Sequence, residues 1–174
     1  MNALDAWTHA VAEIPDSGLQ CDRAASPAEL SALAAALDLP GCEQLSARYT
    51  IEPLGADRYR LHGTLSARVT QACVVTLEPV TATLDEPFDE ELWPESDIPA
   101  HMDAGEHEAL AVTEPEPIRN GLIEVGRIVY ETLAAAIDPY PRKPGAELVL
   151  PYEAEGEAAR SGPFAALATL KRDS

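Results

Sequence analysis

Basic residues are scarce in this chain. Its 174 residues hold 12 lysines and arginines against 30 acidic residues, for a formal net charge of −18. No lysine or arginine occurs between Val69 and Ile118, a stretch that contains 13 acidic residues. Because phosphate binding depends on lysine and arginine, this deficit argues against unaided binding of DNA or RNA. A basic partner, of which ribosomal proteins are one class, would be attracted instead.

Cysteine pairs and long apolar runs are also missing. Cys21, Cys42 and Cys73 are widely separated, no CxxC pair occurs, and the odd number leaves at least one thiol free. That usage is typical of a reducing compartment. No segment resembles a signal peptide, and no apolar run approaches the length of a membrane span. We therefore expect a cytoplasmic protein that does not associate with membranes.

Hydrophobic periodicity in the N-terminal part predicts a strand and then a helix. Alternation over 7–11 predicts a first strand, and 15–23 reads as a loop. Ser26 can cap a helix and form a capping box with Glu29, and Pro40 ends the apolar stripe of that helix. A helix is therefore expected between Ser26 and Pro40.

Period-two alternation then predicts a hairpin. Residues 45–51 and 59–69 alternate between apolar and polar, and 53–57 form the turn between them. A third strand is predicted over 80–88 or beyond, and the block around Cys73 joins it to the second. The hairpin and this strand would form the centre of an antiparallel sheet.

The C-terminal part predicts a loop, a helix and a tail. Prolines and acidic residues over 94–117 predict a long solvated loop. A turn and a short edge strand precede a second helix that begins at Glu124 and ends before Pro139. We expect an α+β fold in one domain, 1–152, with the two helices on one face of the sheet and closure into a partial barrel left open. Residues 153–174 are predicted to be a flexible tail.

Cys73 is the residue that most suggests an enzyme. A nucleophilic cysteine needs a base, usually histidine, and no histidine is spaced to serve it. We therefore interpret Cys73 as a packed thiol, with a thiol-dependent enzyme as the weaker alternative. Histidines and carboxylates over 101–108 read as part of the solvated loop rather than a metal site. The sequence predicts no catalytic residue, no metal and no cofactor.

Two further groups are candidate contact sites. Four arginines on the predicted hairpin would share one face of the sheet, because side chains two residues apart on a strand point to the same side. They would make either a solvated surface or an RNA-contacting patch. These arginines are Arg48, Arg58, Arg60 and Arg68. An apolar segment near the C-terminus could anchor on this domain or on a partner, and both readings stay open. Its apolar residues are Phe164, Leu167 and Leu170.

Four short motifs, in order, resemble the YceD-like family of bacterial and plastid proteins. They are the block 71–80, the segment 122–131 before an apolar helix, the Asp-Pro-Tyr-Pro-Arg ending at 138–142, and the apolar close at 164–170. The matching positions that we single out are Cys73, Leu77, Glu78, Pro79, Glu131, Pro139, Tyr140 and Pro141.

The resemblance implies a role in accumulation of the large-subunit (23S) ribosomal RNA. Many members carry a CxxC whose second cysteine is replaced here by Thr76, so no metal or redox role carries over to Cys73. The family supplies no catalytic residues. We expect a non-enzymatic ribosome-biogenesis factor acting through a basic ribosomal protein or an rRNA-processing factor; direct contact with 23S rRNA is the alternative.

Overall fold

The computed structural model describes residues 3–98 and 115–147. Two helices and seven strands lie in this part of the chain. In order they are β1 (His9–Ala10), β2 (Leu19–Ala24), α1 (Pro27–Ala36), β3 (Gly41–Gly55), β4 (Arg58–Ala72), β5 (Pro79–Pro94), β6 (Glu116–Ile118), β7 (Leu122–Ile123) and α2 (Val125–Ala136). Contacts divide the chain into two units, Met1–Pro144 and Gly145–Ser174, and all of these elements belong to the first.

The main sheet has five strands in the order β2-β3-β4-β5-β6. The first four are antiparallel neighbours, whereas β6 runs parallel to the end of β5 and pairs only with Leu92–Pro94. The α+β class is thus confirmed. Over the described residues the sheet stays open, so its closure into a partial barrel is not observed.

The predicted hairpin forms the centre of this sheet and is longer than expected. Strands β3 and β4 have 15 residues each, and their turn bends through positive φ angles at Gly55, Ala56 and Asp57. Tyr49 faces the core opposite Gly63, where a Cβ atom would overlap the carbonyl oxygen of Arg48. Only glycine therefore lets the two strands pack around this tyrosine.

One hydrophobic core joins the inner face of the sheet to both helices. Helix α1 has the predicted capping box, in which Ser26 and Glu29 bond each other's backbone, and it buries Leu33. Helix α2 contributes most of the predicted stripe. Its buried apolar side chains are Val125, Ile128, Val129 and Leu133.

The N-terminal region differs from the prediction. The expected first strand shrinks to β1, which pairs with β7 in a separate two-stranded sheet. The expected loop over 15–23 instead contains most of β2, an edge of the main sheet. Only Leu19 and Cys21 supply apolar character there, so the local pattern was too weak to reveal a strand that its pairing with β3 stabilises.

Regular structure extends into both ends of the predicted acidic loop. Strand β5 continues to Pro94, and β6 begins at Glu116. Residues 99–114, which include the histidines of the candidate metal loop, lie outside the described residues. So does the tail with Phe164, Leu167 and Leu170. Neither of the described helices is long and apolar enough to cross a membrane.

Candidate functional site

The connection between β4 and β5 is a tight turn over residues 73–78. The amide of Cys73 donates to the carbonyl of Glu78 at 2.8 Å, and the amide of Leu77 donates to the carbonyl of Cys73 at 2.9 Å. Leu77 has a φ of 60°, in the left-handed region that branched and bulky residues avoid. The predicted link between the second and third strands is therefore a closed and locally strained element.

The sulfur of Cys73 lies at the centre of this turn and is fully buried. It accepts hydrogen bonds from the backbone amides of Val75, Thr76 and Lys143 at 3.4, 3.5 and 3.4 Å. The Lys143 amide, followed by the hydroxyl and amide of Thr76, lowers the pKa of Cys73 to about 6. Donors that converge on the sulfur favour the thiolate near neutral pH.

The segment after α2 packs against this turn. The amide of Val74 donates to the carbonyl of Pro141 at 2.9 Å, and Nζ of Lys143 donates to Glu78 at 2.8 Å. That contact lowers the pKa of Glu78 and raises the pKa of Lys143, because each charge stabilises the other. Two motifs that are far apart in the sequence thus form one structural unit, which we call the Cys73 turn.

Large apolar side chains project from the Cys73 turn into solvent. Leu77 is 79% exposed and Tyr140 is 72% exposed, and Val74 is nearly half exposed. The first and third belong to the turn, and Tyr140 belongs to the segment bonded to it. These three side chains of the Cys73 turn therefore do not belong to the core.

The Cys73 turn encloses its sulfur completely. The sulfur has no contact with solvent, and among the described residues no histidine bonds to it. Thr76 directs its hydroxyl and its amide to the same sulfur. Within the described ranges no three histidine, cysteine or acidic side chains form a potential metal site.

The four arginines predicted to share a surface lie on the outer face of the sheet. Arg48 donates to Asp22 through two nitrogens, at 2.8 and 3.1 Å. Arg60 donates to Asp89 at 2.7 Å, which lowers the pKa of that carboxyl.

The other two arginines of this group differ in their surroundings. Arg58 stacks 3.8 Å from the ring of Trp93 and lies 3.8 Å from Asp97. Arg68 has no carboxylate within 4.0 Å in the described part of the chain. The outer face is therefore largely ion-paired rather than basic, a result that depends on cross-strand register.

Arg127 organises a second polar cluster between α2 and β6. Its guanidinium contacts Glu116, donates to Glu131 at 3.0 Å and lies 3.7 Å from Glu124. Burial, followed by the nearby Glu116 carboxylate, raises the pKa of Glu90. The motif residue Glu131 therefore has a structural role, and its i,i+4 spacing from Arg127 was the signal available in the sequence.

A third cluster was not foreseen from the sequence. Nε2 of His9 lies 2.8 Å from the hydroxyl of the buried Tyr49 and 3.9 Å from the sulfur of Cys21. Burial lowers the pKa of His9, and the positive charge of Arg23 lowers it further. The cluster joins β1 to the main sheet, and no local pattern links its members.

Comparison with known families supports the motif resemblance. Residues 61–171, well over half of the chain, match the family described as large ribosomal RNA subunit accumulation protein YceD. No curated protein and no solved structure gives a significant match. The matched range includes both halves of the Cys73 turn, together with Arg127 and Glu131. This chain therefore belongs to the YceD family.

Proposed function

We propose that this protein is a non-enzymatic factor that supports accumulation of large-subunit ribosomal RNA by binding a basic protein in the cytoplasm. The family supplies the link to the RNA. The preference for a protein partner rests on one observation: the arginines of the outer sheet face are mostly engaged with carboxylates. A basic ribosomal protein or an rRNA-processing factor fits this surface.

Electrostatics support a protein partner over RNA. Binding to nucleic acid gains free energy when lysines and arginines displace counterions from phosphates. Of the nine basic residues in the described ranges, only Arg23, Arg68 and Arg142 have no carboxylate of those ranges within 4.0 Å. An arginine already paired with aspartate gains less from binding a phosphate, because the carboxylate offsets part of its positive charge. With a net charge of −18, the protein would also repel RNA at long range.

The non-enzymatic part of the proposal rests on the Cys73 turn. A low thiol pKa is also found in reactive cysteines, but these need access to a substrate and usually a base. Cys73 is fully buried, and its hydrogen-bond donors are the backbone and a threonine. We infer that the sulfur holds the turn together.

Capture of partners from cell lysate, with and without RNase, tests the proposed function. A basic protein should remain bound after RNase treatment and should be released by salt, because exposed charge pairs are screened. Recovery of RNA alone, lost on RNase treatment, would contradict the protein-partner proposal.

Direct RNA binding is the second candidate, and it is favoured by Arg68, which has no described carboxylate within 4.0 Å. A gel-shift assay with 23S rRNA fragments should compare Arg68→Ala with Arg48→Ala. If RNA is bound through this face, the first change should weaken binding more, because Arg48 is already paired with Asp22. Absence of binding by the unchanged protein would exclude this candidate.

A further inference from the structure

Most of β5 has an unpaired side in the described part of the structure. From Pro79 to Leu92 the strand pairs with β4. On the other side β6 pairs only with Leu92–Pro94, so among the described residues no strand bonds the outer edge of 79–91. Such a strand edge carries carbonyl groups and, except at Pro79 and Pro87, amide groups that can pair with another chain. We call residues 79–91 the β5 edge.

The two faces of the β5 edge differ in character. Towards the core lie Val80, Ala82 and Leu84, which are only half-buried, and further along the strand Glu86, the buried Phe88 and Glu90. Towards the outer face lie exposed residues that include Asp85 and Glu91. Side chains of an added strand alternate between the same two faces. Beside 80–84 its inner side chains would meet apolar residues, whereas beside Glu86 and Glu90 they would meet carboxylates. Its outer side chains would meet the carboxylates of Asp85, Asp89 and Glu91.

The charge of the β5 edge determines which kind of strand can pair with it. The β5 edge contains five acidic residues and no basic residue. Two copies of this edge would repel each other, because like charges on neighbouring strands are destabilising. An extended segment with lysine or arginine on its outer side would be attracted instead.

From this geometry we propose that the β5 edge binds an extended segment of a basic protein by β-strand addition. The segment alternates apolar residues, which cover Val80, Ala82 and Leu84, with lysine or arginine, which face Asp85 and Glu91. Backbone hydrogen bonds supply affinity and the alternating side chains supply specificity. This inference rests on the proposed function, because it assigns a surface to the basic partner.

A peptide experiment on the full chain tests the assignment. The probe is a ten-residue peptide in which valine alternates with lysine. Amide hydrogen exchange should show new protection within 79–91 when the peptide is bound. Two control peptides should bind at least tenfold more weakly: one with the same composition in two blocks, and one with alternate amides N-methylated. Protection elsewhere, or equal binding of the controls, would overturn the proposal.

Matched charge changes on the two edges of the sheet give a second readout. Asp85 and Asp22 are both exposed aspartates on the outer face, one on β5 and one on the opposite edge strand β2. Asp85→Lys should weaken peptide binding by about three- to tenfold, in the range of a surface charge pair. Asp22→Lys should change it less than about twofold. Equal losses of peptide binding in the two variants would show that the peptide is attracted only by the overall negative charge. That result would overturn strand addition.

The peptide experiment tests the β5 edge and the partner capture tests the proposed function, so that each can fail without the other. If lysate yields a basic protein but Asp85→Lys retains it as well as Asp22→Lys does, the β5 edge is wrong and the proposed function stands. If no basic protein survives RNase treatment, the proposed function itself fails. Circular dichroism of both variants shows whether either change has altered the fold.

Discussion

The backbone amide of Lys143 lies 3.4 Å from the sulfur of Cys73, 70 residues earlier in the chain. The side chain of the same lysine bonds Glu78 in the same turn. One residue therefore joins two motifs of the YceD family through both its backbone and its charge. Cys73 needs no second thiol for this role, because backbone donors converge on the sulfur from both segments.

Cys73 should ionise near neutral pH in the folded protein. In a variant with Cys21 and Cys42 replaced by alanine, ultraviolet thiolate absorbance should rise with a pKa of about 6. In denaturant the pKa should return to about 8.5, the ordinary value for cysteine. Equal pKa values in the two states would contradict the hydrogen-bonded sulfur.

The same shift makes stability depend on pH. Because the pKa of Cys73 is lower in the folded state, ionisation of this thiol adds to the free energy of unfolding. That contribution is complete above the pKa of the unfolded state and is lost as pH falls through about 6. Urea unfolding should therefore show stability rising with pH across that window. In Cys73→Ser this part of the pH dependence should disappear.

Leu77→Gly should stabilise the isolated protein. Leu77 has a φ of 60° and is 79% exposed, so glycine relieves the left-handed backbone and loses little burial. The expected gain in free energy of unfolding is up to about 1 kcal/mol. Val74→Gly, in the same turn but without positive φ, should destabilise. A loss of stability in Leu77→Gly would show that its side chain packs on the fold.

Arg127→Gln should destabilise more than Arg48→Gln. Arg127 is three-quarters buried and serves three glutamates, so its loss should cost about 1–3 kcal/mol in free energy of unfolding. Arg48 is 83% exposed, and loss of its single pair should cost less than about 1 kcal/mol. Urea unfolding at low and high salt measures both. Equal costs would mean that the Arg127 cluster contributes no more than a surface pair.

Tyr49→Phe should remove one buried hydrogen bond. The change keeps the ring and leaves Nε2 of His9 without its partner at 2.8 Å. A loss of about 0.5–1.5 kcal/mol in free energy of unfolding is expected. Tyr59→Phe is the matched control, because Tyr59 is also buried but no described residue bonds its hydroxyl. A similar loss in both variants would assign the effect to packing.

His9 should make the protein sensitive to acid. Its pKa is lowered in the folded state, chiefly by burial, so the unfolded state binds a proton more readily. Its contribution to stability is complete above the unfolded pKa of about 6.5 and is lost as pH falls through the lower folded pKa. His9→Gln should reduce the slope of stability against pH below that value. An unchanged slope would place the acid sensitivity elsewhere.

Much of the fold could be predicted because its signals are local. The capping box of Ser26 and Glu29 marked α1, and strict alternation marked β3 and β4. Strand β2 was missed because its sequence carries few apolar residues and its stability comes from pairing with β3. The arginine surface was placed on the correct face by parity, but its charge balance was not predictable. Which carboxylate lies beside Arg48 or Arg60 depends on strand register.

The family, the α+β class, the central hairpin and the acidic character could all be read from the amino-acid sequence. They follow from the order of motifs, the period of apolar residues and composition, which need no knowledge of distant contacts. Tertiary contacts were needed to establish that Cys73 is held by Lys143, that Arg60 is neutralised by Asp89 and that most of β5 lacks a described neighbour along one edge. Each of these depends on residues far apart in the chain, which packing and strand pairing bring together.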